Sequence, residues 1–265
     1  MIVALGDSLT VGETGFTSSA SDVALTSYPK RLEEFAEHFL RKRVSRERIE
    51  VLNRGVNGDL TSGMLDRFPG DVIGEKPAFV IILGGANDIG WGLDPSTIAC
   101  NLTSMYDAAR KEGIGPVACS VPSILGCDEL IPPRLSLNQM IDVEAKKRKI
   151  PFLDLFRATA DQTNNRLLEI YCADGLHLNP QGYKQIAKHI FDNWLKFVLG
   201  PHTPDTIPAN RGSDAEIIGT TPRGNREKTH ILTAHEKDRN RNFTAPQLVL
   251  SSIGRQSNVQ RTYHP

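Results

Sequence analysis

Four short stretches of this chain carry the residue types needed to attack a carbonyl carbon: Gly6-Asp7-Ser8-Leu9, Asn57-Gly58-Asp59, Gly85-Ala86-Asn87-Asp88 and Asp174-Gly175-Leu176-His177. A serine hydroxyl is a poor nucleophile at neutral pH, so Ser8 needs an adjacent general base. His177 suits that role because imidazole titrates close to the working pH. Its second ring nitrogen then requires an acceptor that fixes the tautomer and stabilises the imidazolium. Asp174, in the same loop, has a tether short enough to curl back to that nitrogen, and Asp154 is its rival as the acid. The oxyanion that develops on the carbonyl calls for donors placed in advance. The N–H of Gly58, the side-chain amide of Asn87 and the N–H of Ser8 are the candidates.

Each residue also has an ordinary structural use. Ser8 suits a helix cap, Gly58 a turn with positive φ, Asn87 an Asx turn, and Asp174 an N-cap for the helix after Asn179. His177 is open to reading as a satisfied buried histidine. Asp7 and Asp88 are read as loop-shaping residues, since each is placed to bond neighbouring backbone N–H groups. Taken singly, several of these readings hold; taken jointly, they require coincidence at one sheet edge.

Apolar runs and their breaks mark the elements that must position these residues. Met1 to Leu5 is a short apolar strand ending at Gly6, and Ser8 falls where it gives way to a loop. Further strands are expected over Ile49–Asn53, Ala78–Leu83, Pro116–Val121 and Phe152–Leu155, and three of the four stretches follow strands at the same edge. Helices are expected over Tyr28–Arg43, Thr61–Phe68, Pro95–Glu112, Leu135–Lys149 and Gln181–Leu199, and a long polar loop over Glu13–Ser27. Pro122, Pro132 and Pro133 are assigned to a loop after the fourth strand. Five strands alternating with helices make an α/β fold with a parallel, doubly wound sheet. Ligands of such sheets bind at the carboxyl edge.

Balanced charge, 31 Lys+Arg against 31 Asp+Glu, argues against nucleic acid or an anionic membrane as partner, since both need a concentrated basic face. The longest apolar stretch is far too short to span a bilayer, so no integral membrane contact is expected. Met1 opens the first strand without a basic head or cleavage site, and the expected compartment is the cytoplasm unless a leader was removed. The four cysteines, Cys100, Cys119, Cys127 and Cys172, lack Cys-x-x-Cys spacing and read as free thiols in or near the core; no metal site is suggested. From about Gly200 the apolar periodicity disappears among Pro, Gly, Asn, Thr and Arg. Residues 1–199 therefore read as the globular domain, and 200–265 as a low-complexity, disordered extension. The oligomeric state leaves no mark in the sequence.

The four stretches, in this order and at these separations, resemble the sequence blocks of the SGNH (GDSL) hydrolase superfamily, and the chain is similar to its small bacterial esterases, acyl thioesterases and lysophospholipases. The resemblance covers about Met1 to Leu199. It implies a flavodoxin-like three-layer α/β/α sandwich, no cofactor, Ser8 as nucleophile, His177 as base, Asp174 as its orienting acid, and Gly58 and Asn87 as oxyanion donors. The expected function is hydrolysis of a small-molecule ester or thioester through an acyl-enzyme. A carbohydrate O-acetylesterase on the same fold is the alternative, and a flavodoxin-like module binding a phosphate-bearing ligand is the non-enzymatic one. Acyl preference is set by the loops Glu13–Ser27, Ile89–Asp94 and Ser123–Pro133, with Trp91 a candidate either for lining the slot or for packing.

Overall fold

The computed structural model describes residues 1–15, 26–43 and 48–200. Apart from Gly200, the extension expected over 200–265 lies outside the described residues, as does most of the polar stretch 13–27. Five strands, β1 (Ile2–Gly6), β2 (Val51–Gly55), β3 (Phe79–Leu83), β4 (Gly115–Cys119) and β5 (Phe152–Leu153), form one sheet in the order β2-β1-β3-β4-β5. Every neighbouring pair is parallel. Val3, Ala4 and Leu5 of β1 and Val80, Ile81 and Ile82 of β3 are fully buried, the signature of strands covered on both faces. Each such Val, Leu or Ile contributes about 1.5–3 kcal/mol by leaving water.

Among the described residues the α-helices are α1 (Ser8–Val11), α2 (Tyr28–Lys42), α3 (Thr61–Phe68), α4 (Ala86–Gly90), α5 (Pro95–Lys111), α6 (Ile131–Arg148), α7 (Leu155–Thr159), α8 (Pro180–Ile190) and α9 (Lys196–Val198). They flank the sheet on both sides, giving the α/β/α layering. The helix α2 buries Leu32, Ala36 and Leu40 and packs against α8, while α5 lies between α3 and α6 and buries a stripe that includes Ile98, Leu102 and Met105.

Three boundaries differ from the sequence expectation. Helix α6 starts at Ile131, with Pro132 and Pro133 inside its first turn rather than in a loop, because the N–H that proline lacks has no helical partner there. Strand β5 ends at Leu153, because Asp154 turns the chain by accepting from the Arg157 N–H at 3.0 Å and so caps α7. The last expected helix is broken into α8, a π turn over Phe191–Leu195 and α9; the extra residue in that turn keeps Phe191, Trp194 and Leu195 buried.

In this strand order the chain leaves β1 toward β2 on one side and returns to β3 on the other, so the loops after β1 and β3 diverge and open a crevice. Register pairs Gly6 with both Gly55 and Leu83, which ends β1, β2 and β3 at one level. Ser8, Gly58 and Asn87 all follow that level within a few residues.

Candidate active site

The nucleophile candidate sits on a single helical turn whose two ends are closed by side chains. Helix α1 is too short to satisfy its own terminal groups. Asp7 Oδ1 accepts the Leu9 N–H at 2.9 Å at one end. At the other, the Asn53 amide reaches from β2 to the carbonyls of Thr10, at 2.8 Å, and Val11, at 3.3 Å. Ser8 opens this turn and is 6% exposed. It is Asp7, not Ser8, that caps the helix, and Asn179, not Asp174, that caps α8.

His177 is carried by a turn closed on itself: Ala173 N–H donates to the His177 carbonyl at 2.9 Å, and Gly175 N–H to Cys172 Sγ at 3.0 Å. The Asp174 carboxylate serves two ends. Its Oδ1 accepts the N–H groups of Leu176 and His177, at 3.0 and 2.7 Å, and its Oδ2 stands 2.8 Å from His177 Nδ1. Nε2 of the same ring is 3.0 Å from Ser8 Oγ. An ionised carboxylate only accepts, so the proton sits on Nδ1 and Nε2 faces the hydroxyl with its lone pair. Burial works against the charge on Asp174, but the hydrogen bonds from the His177 ring and from the two backbone N–H groups outweigh it. The carboxyl is held below its ordinary value. The rival acid, Asp154, is occupied elsewhere, by Ser120 Oγ at 3.0 Å and the α7 cap.

Gly58 has φ of +73°, a left-handed conformation that presents its N–H without a side chain, and nothing stands within 4 Å of where a Cβ would be. Asn87, in α4, donates one amide hydrogen to the Asp59 carbonyl at 3.0 Å. That bond sets its side chain beside the peptide after Asp59, and its second hydrogen has no partner among the described residues. Asp88 is fully buried and accepts the Thr61 N–H and hydroxyl, so it shapes the start of α3.

Two buried ionisable side chains, Asp7 and Arg134, belong to this region. Burial pushes the Asp7 carboxyl up to about 7, with the Leu9 N–H and His177 pulling the other way, and its Oδ2 has no hydrogen-bond partner among the described residues. Arg134, 1% exposed, is lowered to about 10 by burial, with Asp7 acting against that shift.

One organising residue was not singled out in the sequence. Arg67 of α3 donates to Asp59 Oδ2 at 2.8 Å, to Asp71 Oδ2 at 2.6 Å, and to the carbonyls of Arg54 and Gly6, both at 2.9 Å. It thereby ties together the ends of β1 and β2 and the Gly58 loop. A lone arginine on an amphipathic helix gives no local signal of such reach. Trp91 is 69% exposed, which removes the packing reading for it. Cys119 is buried, but Cys100 is exposed, outside the core expected for it. No described helix is long and apolar enough to cross a membrane.

The model of the GDSL-like Lipase/Acylhydrolase family matches residues 4–185. Esterase TesA of Pseudomonas aeruginosa is 41% identical over 76 residues, which are 28% of this chain and 38% of that esterase. The chain spans half or less of the length of the curated relatives it matches. Among solved structures, the lipase/acylhydrolase from Enterococcus faecalis superposes with a TM-score of 0.59 at 25% identity, over 76% of this chain and 97% of that one. An acetyl-xylooligosaccharide esterase from Geobacillus gives 0.58 at 20% identity, over 72% and 92%, a likeness of fold.

Proposed function

The chain belongs to the GDSL-like lipase/acylhydrolase family, and we propose that it cleaves carboxylic esters or thioesters through an acyl-enzyme carried by Ser8 within residues 1–199. The reading rests on one observation, the relay in which His177 stands 3.0 Å from Ser8 Oγ and 2.8 Å from Asp174. As Ser8 Oγ bonds to the substrate carbonyl carbon, its proton passes to His177 Nε2, and Asp174 stabilises the imidazolium. The carbonyl oxygen takes up the negative charge and is met by the N–H groups of Ser8 and Gly58 and the free amide hydrogen of Asn87. When the intermediate collapses, the carbon–oxygen or carbon–sulfur bond breaks and the leaving group takes the proton from His177. Water then attacks the acyl carbon, gives a proton to His177, and the proton returns to Ser8 as the acid departs.

A second reading, removal of acetyl groups from carbohydrate, draws on Trp91. Its indole follows Asn87 at the end of α4 and is 69% exposed, a free face on which a sugar ring stacks. A panel of p-nitrophenyl esters from acetyl to palmitoyl, run beside acetylated xylan, separates the two. Turnover rising with acyl length supports the acyl hydrolase, and activity confined to acetyl groups with release from xylan supports the other. No turnover on any of them, by wild type, refutes both.

A further inference from the structure

The segment that leaves α1 reaches the Ser8 turn, the loop that carries Gly58, and Asp174. Glu13 N–H donates to the carbonyl of Ser8 itself at 3.1 Å. The Glu13 carbonyl accepts the hydroxyl of Tyr183, a fully buried residue of α8. The Glu13 carboxylate folds over the segment, with Oε1 accepting the N–H groups of Thr14 and Gly15 at 3.2 and 3.3 Å. Its Oε2 accepts the side-chain amide of Asn57, next to Gly58, at 3.4 Å.

Gly15 then passes against Asp174 with no room for a side chain. A Cβ there falls 2.0 Å from Asp174 Oδ2, 2.5 Å from its Cγ and 2.8 Å from its Cβ, all below the 3.0 Å that real Cβ atoms observe. The crowded oxygen, Oδ2, is the one that meets His177 Nδ1. The Gly15 backbone closes one flank of the carboxylate, the bond to His177 and the turn around it close others, and the side chain keeps 31% exposure on its remaining side. A carboxylate walled by Gly15 keeps one rotamer, and a catalytic group held in one rotamer is what an orienting acid needs.

We propose that Glu13–Gly15 is a positioning strap that seats the Asp174 carboxylate against His177, and that Gly15 serves by lacking a side chain. The inference rests on the functional reading of Ser8, His177 and Asp174 given above. Gly15 touches no substrate; it acts through Asp174. Its φ of +71° offers a competing explanation, that glycine is kept for backbone freedom alone. Gly113 supplies the control. It has φ of +74°, open space around the Cβ position, and a place before β4 at the sheet edge opposite the site.

The test compares Gly15→Ala, Gly113→Ala and Tyr183→Phe, each alone and in an Asp174→Ala background, with melting curves to verify folding and p-nitrophenyl ester turnover as readout. An orienting group displaced by about an ångström costs up to about 10²-fold. Gly15→Ala is therefore expected to lower kcat by about 10- to 100-fold with KM within about threefold of wild type. Tyr183→Phe, which frees the strap from α8 without adding an atom, lowers kcat less. In the Asp174→Ala background both losses shrink to within about threefold, while Gly113→Ala lowers Tm and leaves kcat unchanged in either background. The proposal is overturned if Gly15→Ala keeps wild-type kcat, or if its loss adds in full to that of Asp174→Ala. Should Gly15→Ala not fold, the same additivity criterion applied to Tyr183→Phe decides. Labelling of wild-type Ser8 by a fluorophosphonate tells the two failures apart: an unlabelled Ser8 removes the underlying reading, whereas a labelled Ser8 with additive losses removes the strap alone.

Discussion

Arg67 Nη2 donates to the carbonyl of Gly6 at 2.9 Å, so a helix after β2 holds the residue that ends β1 just before the nucleophile candidate. The same guanidinium reaches Arg54 at the end of β2 and Asp59 beside Gly58. Lysine has one nitrogen where arginine has a fork, and it cannot serve these acceptors together. Arg67→Lys is expected to lower stability by about 1–3 kcal/mol, the cost of partly buried acceptors left unpaired, in urea unfolding. Turnover is expected to fall as well, because the turn that carries Ser8 and the Gly58 loop lose their common anchor.

Asn87 spends one amide hydrogen on the Asp59 carbonyl, and the other, without a partner among the described residues, is the one proposed to meet the oxyanion. Asn87→Ala is therefore expected to lower kcat by about 10²- to 10³-fold with little change in KM, measured on a p-nitrophenyl ester. A loss below about threefold would remove Asn87 from the oxyanion hole.

The two aspartates that compete in the sequence separate in their effects. Asp174→Asn is expected to reduce kcat by about 10⁴-fold with the fold intact, since the imidazole loses the acceptor that fixes its tautomer. Asp154→Ala removes the cap of α7 and is expected to cost about 0.5–2 kcal/mol in stability, with turnover retained at temperatures where the protein is folded.

Burial places the Asp7 carboxyl at about 7 in the folded chain, against an ordinary value of 3.8. Between those values the folded chain keeps a proton that the unfolded chain has released, so this group makes stability fall as pH rises through that window. Asp7→Asn stays neutral and still offers an oxygen to the Leu9 N–H. The variant is expected to gain about 1–4 kcal/mol over wild type at pH 7.5 and little at pH 4, read from Tm across pH. An equal effect at both ends would contradict the shift.

Much of this arrangement is legible in the residues themselves. The strand over Phe79–Leu83 announces itself as an uninterrupted apolar run, and Ile98, Leu102 and Met105 announce the buried face of α5 by their spacing. Gly6-Asp7-Ser8 and Asp174-Gly175-Leu176-His177 are local motifs, readable wherever they stand. What stays hidden is whatever depends on contacts between distant segments. The start of α6 hides behind Pro132 and Pro133, which suit a loop and a first helical turn equally well. The closing of α1 by Asn53, the reach of Arg67 and the seat that Gly15 makes for Asp174 are each settled by tertiary geometry, and no periodicity encodes them.

The central claim is that Ser8 becomes covalently acylated. Its most direct test is the mass of the peptide containing Ser8 after wild-type protein is incubated with a fluorophosphonate, with residual ester hydrolysis followed in parallel. The account predicts one adduct on Ser8, activity lost in step with labelling, and neither adduct nor activity in Ser8→Ala. Hydrolysis that persists in Ser8→Ala, or an adduct on another residue that alone tracks the loss of activity, would contradict it.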